Sequence, residues 1–168
     1  MFKAHKDNWY VAYTVPRCEK LVEMKINDRG INSFLPLKME EKKWSDRIKK
    51  VETPLFPGYL FVCTTPDKIY DLTQIDQLLR FISFNNEFAT VKKEEIESIR
   101  QLMQNRMALN PEDRVYRLGE RVKVVYGPLK GMEGLLVKQN SQSRFVIQIK
   151  VLHRSIAVDV PTDYLRPC

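Results

Sequence analysis

Residues 53–65 read TPLFPGYLFVCTT, and the fold depends on how this stretch is placed. Phe56, Pro57, Tyr59 and Phe61 crowd into six positions around Gly58. From Tyr59 onward the composition is that of a strand. Successive strand side chains point to opposite faces, so Tyr59 and Phe61 share one face and Leu60 and Val62 the other. If Leu60 and Val62 meet helices, the two aromatic rings stand on the far side. Phe56 and Pro57 are then close by, and Gly58 gives the backbone the freedom to let Phe56 join them. Two readings stay open on the residues alone. The stretch is a core strand, or it is an aromatic surface kept for a partner, since exposed aromatics are costly unless something covers them.

Working outward, WYVAYTV (9–15) reads as a strand. PRCEKLVEMKINDRG (16–30) reads as a helix stopped by Gly30. INSFLPL (31–37) reads as a second strand with Pro36 at its edge. Residues 38–50 hold six cations, three anions and little apolar content, which predicts a solvated loop or hairpin tip in which Trp44 is out of place. Thr65 as N-cap and Pro66 at the first position open a second helix. RFISF (80–84) follows as a strand, and Ile96, Ile99, Leu102 and Met103 mark a third helix. The expectation is an α+β fold, an N-terminal antiparallel sheet with flanking helices over residues 1–107. ALNPEDR (108–114) breaks the pattern, so a linker is placed at 108–115. After it come RVKVVYG, GLLVKQ, RFVIQIKVL and SIAVDVP, four short strands separated by turn signals. These predict a small β-barrel over 116–168.

The net charge is +7 over 168 residues. The excess is +3 within residues 1–110 and +4 within 111–168, so it is no tail effect. Such a balance favours a polyanionic partner, nucleic acid foremost. The start, MFKAHKDNW, lacks the apolar run of a secretory signal. No stretch approaches the roughly 20 apolar residues that cross a bilayer. A soluble, cytoplasmic, monomeric protein without membrane contact is expected. Cys18, Cys63 and Cys168 are odd in number and far apart, which supports neither a disulfide framework nor a metal site. With two histidines, His5 and His153, and no nucleophile, phosphate-loop or paired-carboxylate motif, neither an enzyme nor a cofactor is expected.

GERVKVVYGPLKGMEGLLV (119–137) resembles a KOW motif, which sits in a small SH3-like barrel. WYVAYTV, the helix with Glu19, and PLFPGYLFV resemble the hallmark segments of the NusG N-terminal (NGN) domain. In order and spacing nearly the whole chain is similar to the NusG family of transcription elongation factors. WSDRIKKVETPLFPGYLFV is closest in look to specialised paralogues such as RfaH and the antiterminators of Bacteroides-type capsule operons.

The resemblance implies a protein that binds the clamp helices of the largest RNA polymerase subunit. It would stabilise the closed elongating state and suppress pausing or termination, in an operon-specific way. Phe56, Tyr59 and Phe61, with Pro57 and Tyr13 beside them, match the docking cavity, which reverses a core reading of those rings. The implied mode of action requires the three rings to face outward; rings sealed inside the fold beneath its own helices would remove it. Tyr70, Asp71 and Leu72 match the contact across the polymerase cleft. Arg17, Lys20, Lys25, Arg29, Thr73, Gln74 and Arg80 would meet the non-template DNA strand; the alternative is that Lys25 and Arg29 are only the wet face of a helix. In the barrel, Leu152 and His153 occupy the loop that meets a small-subunit ribosomal protein or the termination factor Rho. An aromatic is common at the first of these positions and a glycine at the second, so Rho is disfavoured. The β-branched barrel strands argue against a stable helical, autoinhibited form of 116–160. The alternative function is a KOW-containing RNA- or ribosome-binding protein acting outside transcription.

Overall fold

The computed structural model describes residues 7–105, 110–112, 119–139, 142–149 and 152–168. The chain divides into two compact units, through Lys93 and from Glu94 to Cys168. The division falls ahead of the expected linker, of which residues 108, 109 and 113–115 lie outside the described residues.

The first unit opens with β1 (Asn8–Thr14) and α1 (Glu19–Asn27), followed by β2 (Asn32–Phe34). A hairpin comes next, β3 (Leu37–Lys43) and β4 (Ile48–Pro54), then β5 (Tyr59–Thr64) and α2 (Pro66–Leu72). The unit ends with β6 (Leu78–Phe81), β7 (Ser83–Phe84), β8 (Glu87–Phe88) and β9 (Thr90–Val91). Its main sheet is antiparallel in the order β2-β5-β1-β6, with β9 also on β1. One face carries Tyr10, Ala12, Leu60 and Val62, packed in one core with Val22 and Ile26 of α1 and Ile69 and Leu72 of α2. Strand alternation and helical i, i+3/i+4 spacing therefore meet as the sequence predicts. α1 unwinds through Asp28 to Gly30, whose φ of 72° is the left-handed stop expected of it.

Of the two readings of residues 38–50 the hairpin holds: β3 and β4 pair continuously from Leu37↔Pro54 to Lys43↔Ile48. The polar composition shows no apolar period of two because neither face of this ribbon is buried in the core. The second helix stops at Leu72, and residues up to Gln77 form turns held by Thr73 N–H to Ile69 C=O and Ile75 N–H to Leu72 C=O.

The second unit contains most of α3 (Lys93–Gln104), whose Ile96, Ile99 and Leu102 are buried. Gln101 and Asn105 donate to the carbonyl of Pro128 at 3.0 and 3.3 Å. Beyond it lie β10 (Asn110–Glu112), β11 (Glu120–Val124), β12 (Glu133–Gln139), β13 (Gln142–Ile149), β14 (Arg154–Val158) and β15 (Leu165–Pro167). They form one antiparallel sheet in the order β10-β14-β13-β12-β11-β15. All four expected strands are present, β10 and β15 being additions. Among the described residues no pairing joins β10 to β15, so the structure gives a six-stranded sheet and not a closed barrel. Among them, too, no α-helix follows Gln104, and no helix is long and apolar enough to cross a membrane.

Candidate functional site

The face of the first sheet turned away from α1 and α2 is built in three cross-strand rungs. Cys63, Trp9 and Val91 form one, with Asn32 beyond Cys63. Phe34, Phe61 and Val11 form the next. Tyr59, Tyr13 and Arg80 form the last. The middle rung is continuous with Phe56: Phe34 stacks on Phe61 at 6.1 Å between centroids, and Phe56 meets it edge-on at 6.3 Å.

Here the outward-facing expectation fails for two rings. Phe56 and Phe61 are both 0% exposed. They do lie opposite α1 and α2, as alternation requires, but large apolar rings gain by leaving water, and these have left it completely. Tyr59 and Tyr13 remain half-buried. Their rings lie 5.0 Å apart, and the guanidinium carbon of Arg80 sits 5.6 Å from the Tyr13 centroid. Arg80, expected on a DNA surface, is exposed and lies over the Tyr13 ring. The accessible part of the predicted docking set is Tyr13, Tyr59 and the exposed Pro57, beside the buried Phe56 and Phe61.

The turn that holds Tyr59 is fixed by long-range hydrogen bonds. Gly58 has φ 84°, and a Cβ there would lie 2.9 Å from Cε2 of Tyr13. Its N–H donates to Oε1 of Glu19 at 2.7 Å, and its carbonyl accepts from the Thr14 N–H at 2.8 Å. Glu19, on the first turn of α1, is buried. It therefore does what a capping side chain does, but for a turn 39 residues away. No local sequence signal carries that pairing.

The other predicted contacts divide. Tyr70 and Asp71 are exposed, and Tyr70 meets Phe88 edge-on at 6.0 Å. Leu72 is fully buried because it shares the inward stripe of α2 with Ile69, and so leaves the predicted contact set. Lys25, Arg29 and Gln74 line a cleft of about 360 Å³ with Asp28, Ile75 and Asp76. Two cations face two carboxylates there, so the cleft carries no net charge. Lys25 donates to Gln77 Oε1 at 2.6 Å and Arg29 to the Asp71 carbonyl at 2.8 Å. The Thr73 hydroxyl donates to the Tyr70 carbonyl at 2.7 Å. Lys20 pairs with Glu52 at 3.2 Å, away from this group. Arg17 is exposed, with φ 68°.

In the second unit, Leu152 is buried and so presents no apolar contact. His153 is exposed with φ 51°, a backbone region that favours glycine. Among the described residues no cluster of His, Cys, Asp and Glu could hold a metal.

Residues 7–100 match the model of the NusG family, described as transcription termination factor nusG. The chain is also similar to Thermotoga maritima NusG, solved in a study of its domain interaction, at 18% identity. The match covers 96% of this chain and 97% of that one, with a TM-score of 0.55, and at that identity it shows the fold alone. An MjSpt4:Spt5 complex, in conformation A, aligns at 13% identity over 95% of this chain and 97% of that one. Its TM-score is 0.33, and it carries no argument.

Proposed function

Since this chain belongs to the NusG family, we propose that it is a transcription elongation factor of the antiterminating kind, docked on the clamp helices of bacterial RNA polymerase. The observation that carries the docking reading is the Tyr59–Tyr13–Arg80 rung. Two half-exposed rings, tilted 43° to one another, and a cation stand side by side at the Gly58 turn, next to the buried Phe56 and Phe61. Such a preformed aromatic patch suits the tip of a helical hairpin, with the tyrosine hydroxyls and Arg80 as its polar rim. Tyr70 and Asp71 would reach the opposite wall of the cleft. Contact on both sides favours the closed polymerase by binding it better than the open one, and needs no covalent chemistry. Lys25, Arg29, Thr73 and Gln74 are the proposed non-template DNA contacts.

The second unit is read as the KOW module, whose His153 loop would meet a small-subunit ribosomal protein in preference to Rho. An RfaH-like, operon-specific role rests on the 44–62 stretch alone. The rival reading, a KOW protein outside transcription, is disfavoured because the family match lies in residues 7–100, outside the KOW segment.

The test is binding of a clamp-helix fragment to the full chain and to Tyr13→Ala plus Tyr59→Ala. The double variant should lose at least about tenfold in affinity, the scale of interface aromatic hot spots. Unchanged affinity removes the docking site. A paused-elongation assay with and without protein then decides whether pausing is suppressed.

A further inference from the structure

The β3–β4 hairpin forms a two-stranded sheet of its own, unpaired with the main sheet. Every residue from Glu41 to Lys50 is exposed. Charge is distributed unevenly along it. The base, 37–41 and 51–54, carries three acids and one lysine; the outer part, 42–50, carries five cations and one acid. Near the base, Lys38 is engaged by Glu40, and Glu41 lies 3.8 Å from Lys50.

The register gathers the outer charges on one side. Residues opposite one another in an antiparallel pair share a face, and alternate positions repeat it. Lys42 lies directly across from Lys49. One step outward on the same face, Trp44 and Arg47 flank the turn, the Trp44 N–H donating to the Arg47 carbonyl at 2.8 Å. One face of the tip therefore presents three cations, Arg47 among them at 3.9 Å from Asp46, around Trp44, which is 57% exposed. Like charges placed directly across a strand pair oppose pairing, and a large exposed ring opposes solvation. Both are relieved by one kind of ligand, a polyanion with flat apolar faces.

We infer that the outer face of this hairpin binds single-stranded nucleic acid, a base stacking on Trp44 while Lys42, Lys49 and Arg47 meet the flanking phosphates. The hairpin suits that ligand better than the 360 Å³ cleft, whose cations are balanced by carboxylates. The inference does not depend on polymerase docking.

Fluorescence anisotropy of the full chain with a labelled single strand of roughly 12 nucleotides tests it. DNA and RNA strands and a DNA duplex are compared between about 50 and 200 mM salt. Trp44→Ala should weaken single-strand binding about tenfold, and Trp44→Phe should recover most of it. Lys42→Gln plus Lys49→Gln should lower the slope of log K against log salt by about 1.4, near 0.7 for each phosphate no longer neutralised. Circular dichroism checks that each variant is folded. A preference for either RNA or DNA satisfies the proposal and names the strand. It is overturned if no strand binds, if only Lys25→Gln plus Arg29→Gln loses affinity, or if duplex binds equally well without regard to Trp44. Hairpin variants that keep oligonucleotide affinity but no longer bind a polymerase fragment overturn it in favour of a protein partner.

Discussion

Glu19→Ala isolates the strut that holds the candidate docking turn. The buried carboxylate accepts the Gly58 N–H at 2.7 Å. Its removal leaves that N–H without its partner, and a hydrogen bond to a charged acceptor contributes about 1.5–3 kcal/mol. An acid in the first turn of α1 adds about 0.3–1 kcal/mol against the helix dipole. The expected loss is therefore about 2–4 kcal/mol. Glu19→Gln keeps an acceptor oxygen and gives up the charge, so it should lose about 1 kcal/mol. Urea unfolding followed by tryptophan fluorescence reads this unit alone, because both tryptophans, Trp9 and Trp44, lie in it. If Glu19→Ala stays within about 0.5 kcal/mol of the parent, an ordinary surface effect, the Gly58 N–H is served by something else and the strut argument is refuted.

Gly58→Ala should cost about 2–3 kcal/mol in the same assay, from a left-handed backbone that alanine resists and a Cβ driven toward the Tyr13 ring; a neutral result would show that the turn can relax. His153→Gly should stabilise the second unit by roughly 0.5–1 kcal/mol by relieving its φ of 51°, read by urea unfolding followed by far-UV circular dichroism. Glu23 has its carboxyl pushed above the ordinary 4.5, first by burial, against the Leu35 N–H bond and the Lys20 charge that lower it. A raised carboxyl pKa favours the folded state below pH 4.5, and that contribution is lost as pH rises through the raised value. The stability of the parent relative to Glu23→Gln should therefore fall as pH is raised from 4.5 and then level off. Tyr13→Phe plus Tyr59→Phe separates ring surface from hydroxyl rim: clamp-fragment binding retained here but abolished in the alanine pair assigns the affinity to the rings.

The period of two at Tyr59–Val62 was legible because it is local: Leu60 and Val62 join the helical core, and Phe61 points away. Its exposure was not legible. Alternation says which way a ring points, not whether that side is covered, so Phe56 and Phe61 were expected outward and are sealed. Leu72 is the reverse case, an inward position already implied by Ile69 three residues earlier, outweighed by a family correspondence. At residues 38–50 loop and hairpin stayed undecided because lysines and glutamates can alternate on a ribbon with no core face, leaving nothing for an apolar pattern to mark. Glu19 and Gly58 are each visible in the sequence, but their pairing exists only in space.

The burial of Phe56 and Phe61 changes what the proposed docking contact can draw on. A hollow lined by open rings would gain affinity mainly from apolar area removed from water. A rung of two half-exposed tyrosines and an arginine offers less area, so its affinity must come from being already in place: the rings need no ordering on contact, and their polar atoms fix the angle of approach. The hairpin works by the opposite principle. Its outer cations outnumber the acids beside them, and its binding is bound up with counterions. Screening over about 8–10 Å near physiological salt weakens the second contact far more than the first. One small unit thus presents a shape-driven face and a charge-driven arm, and ionic strength tells the two apart without altering a residue.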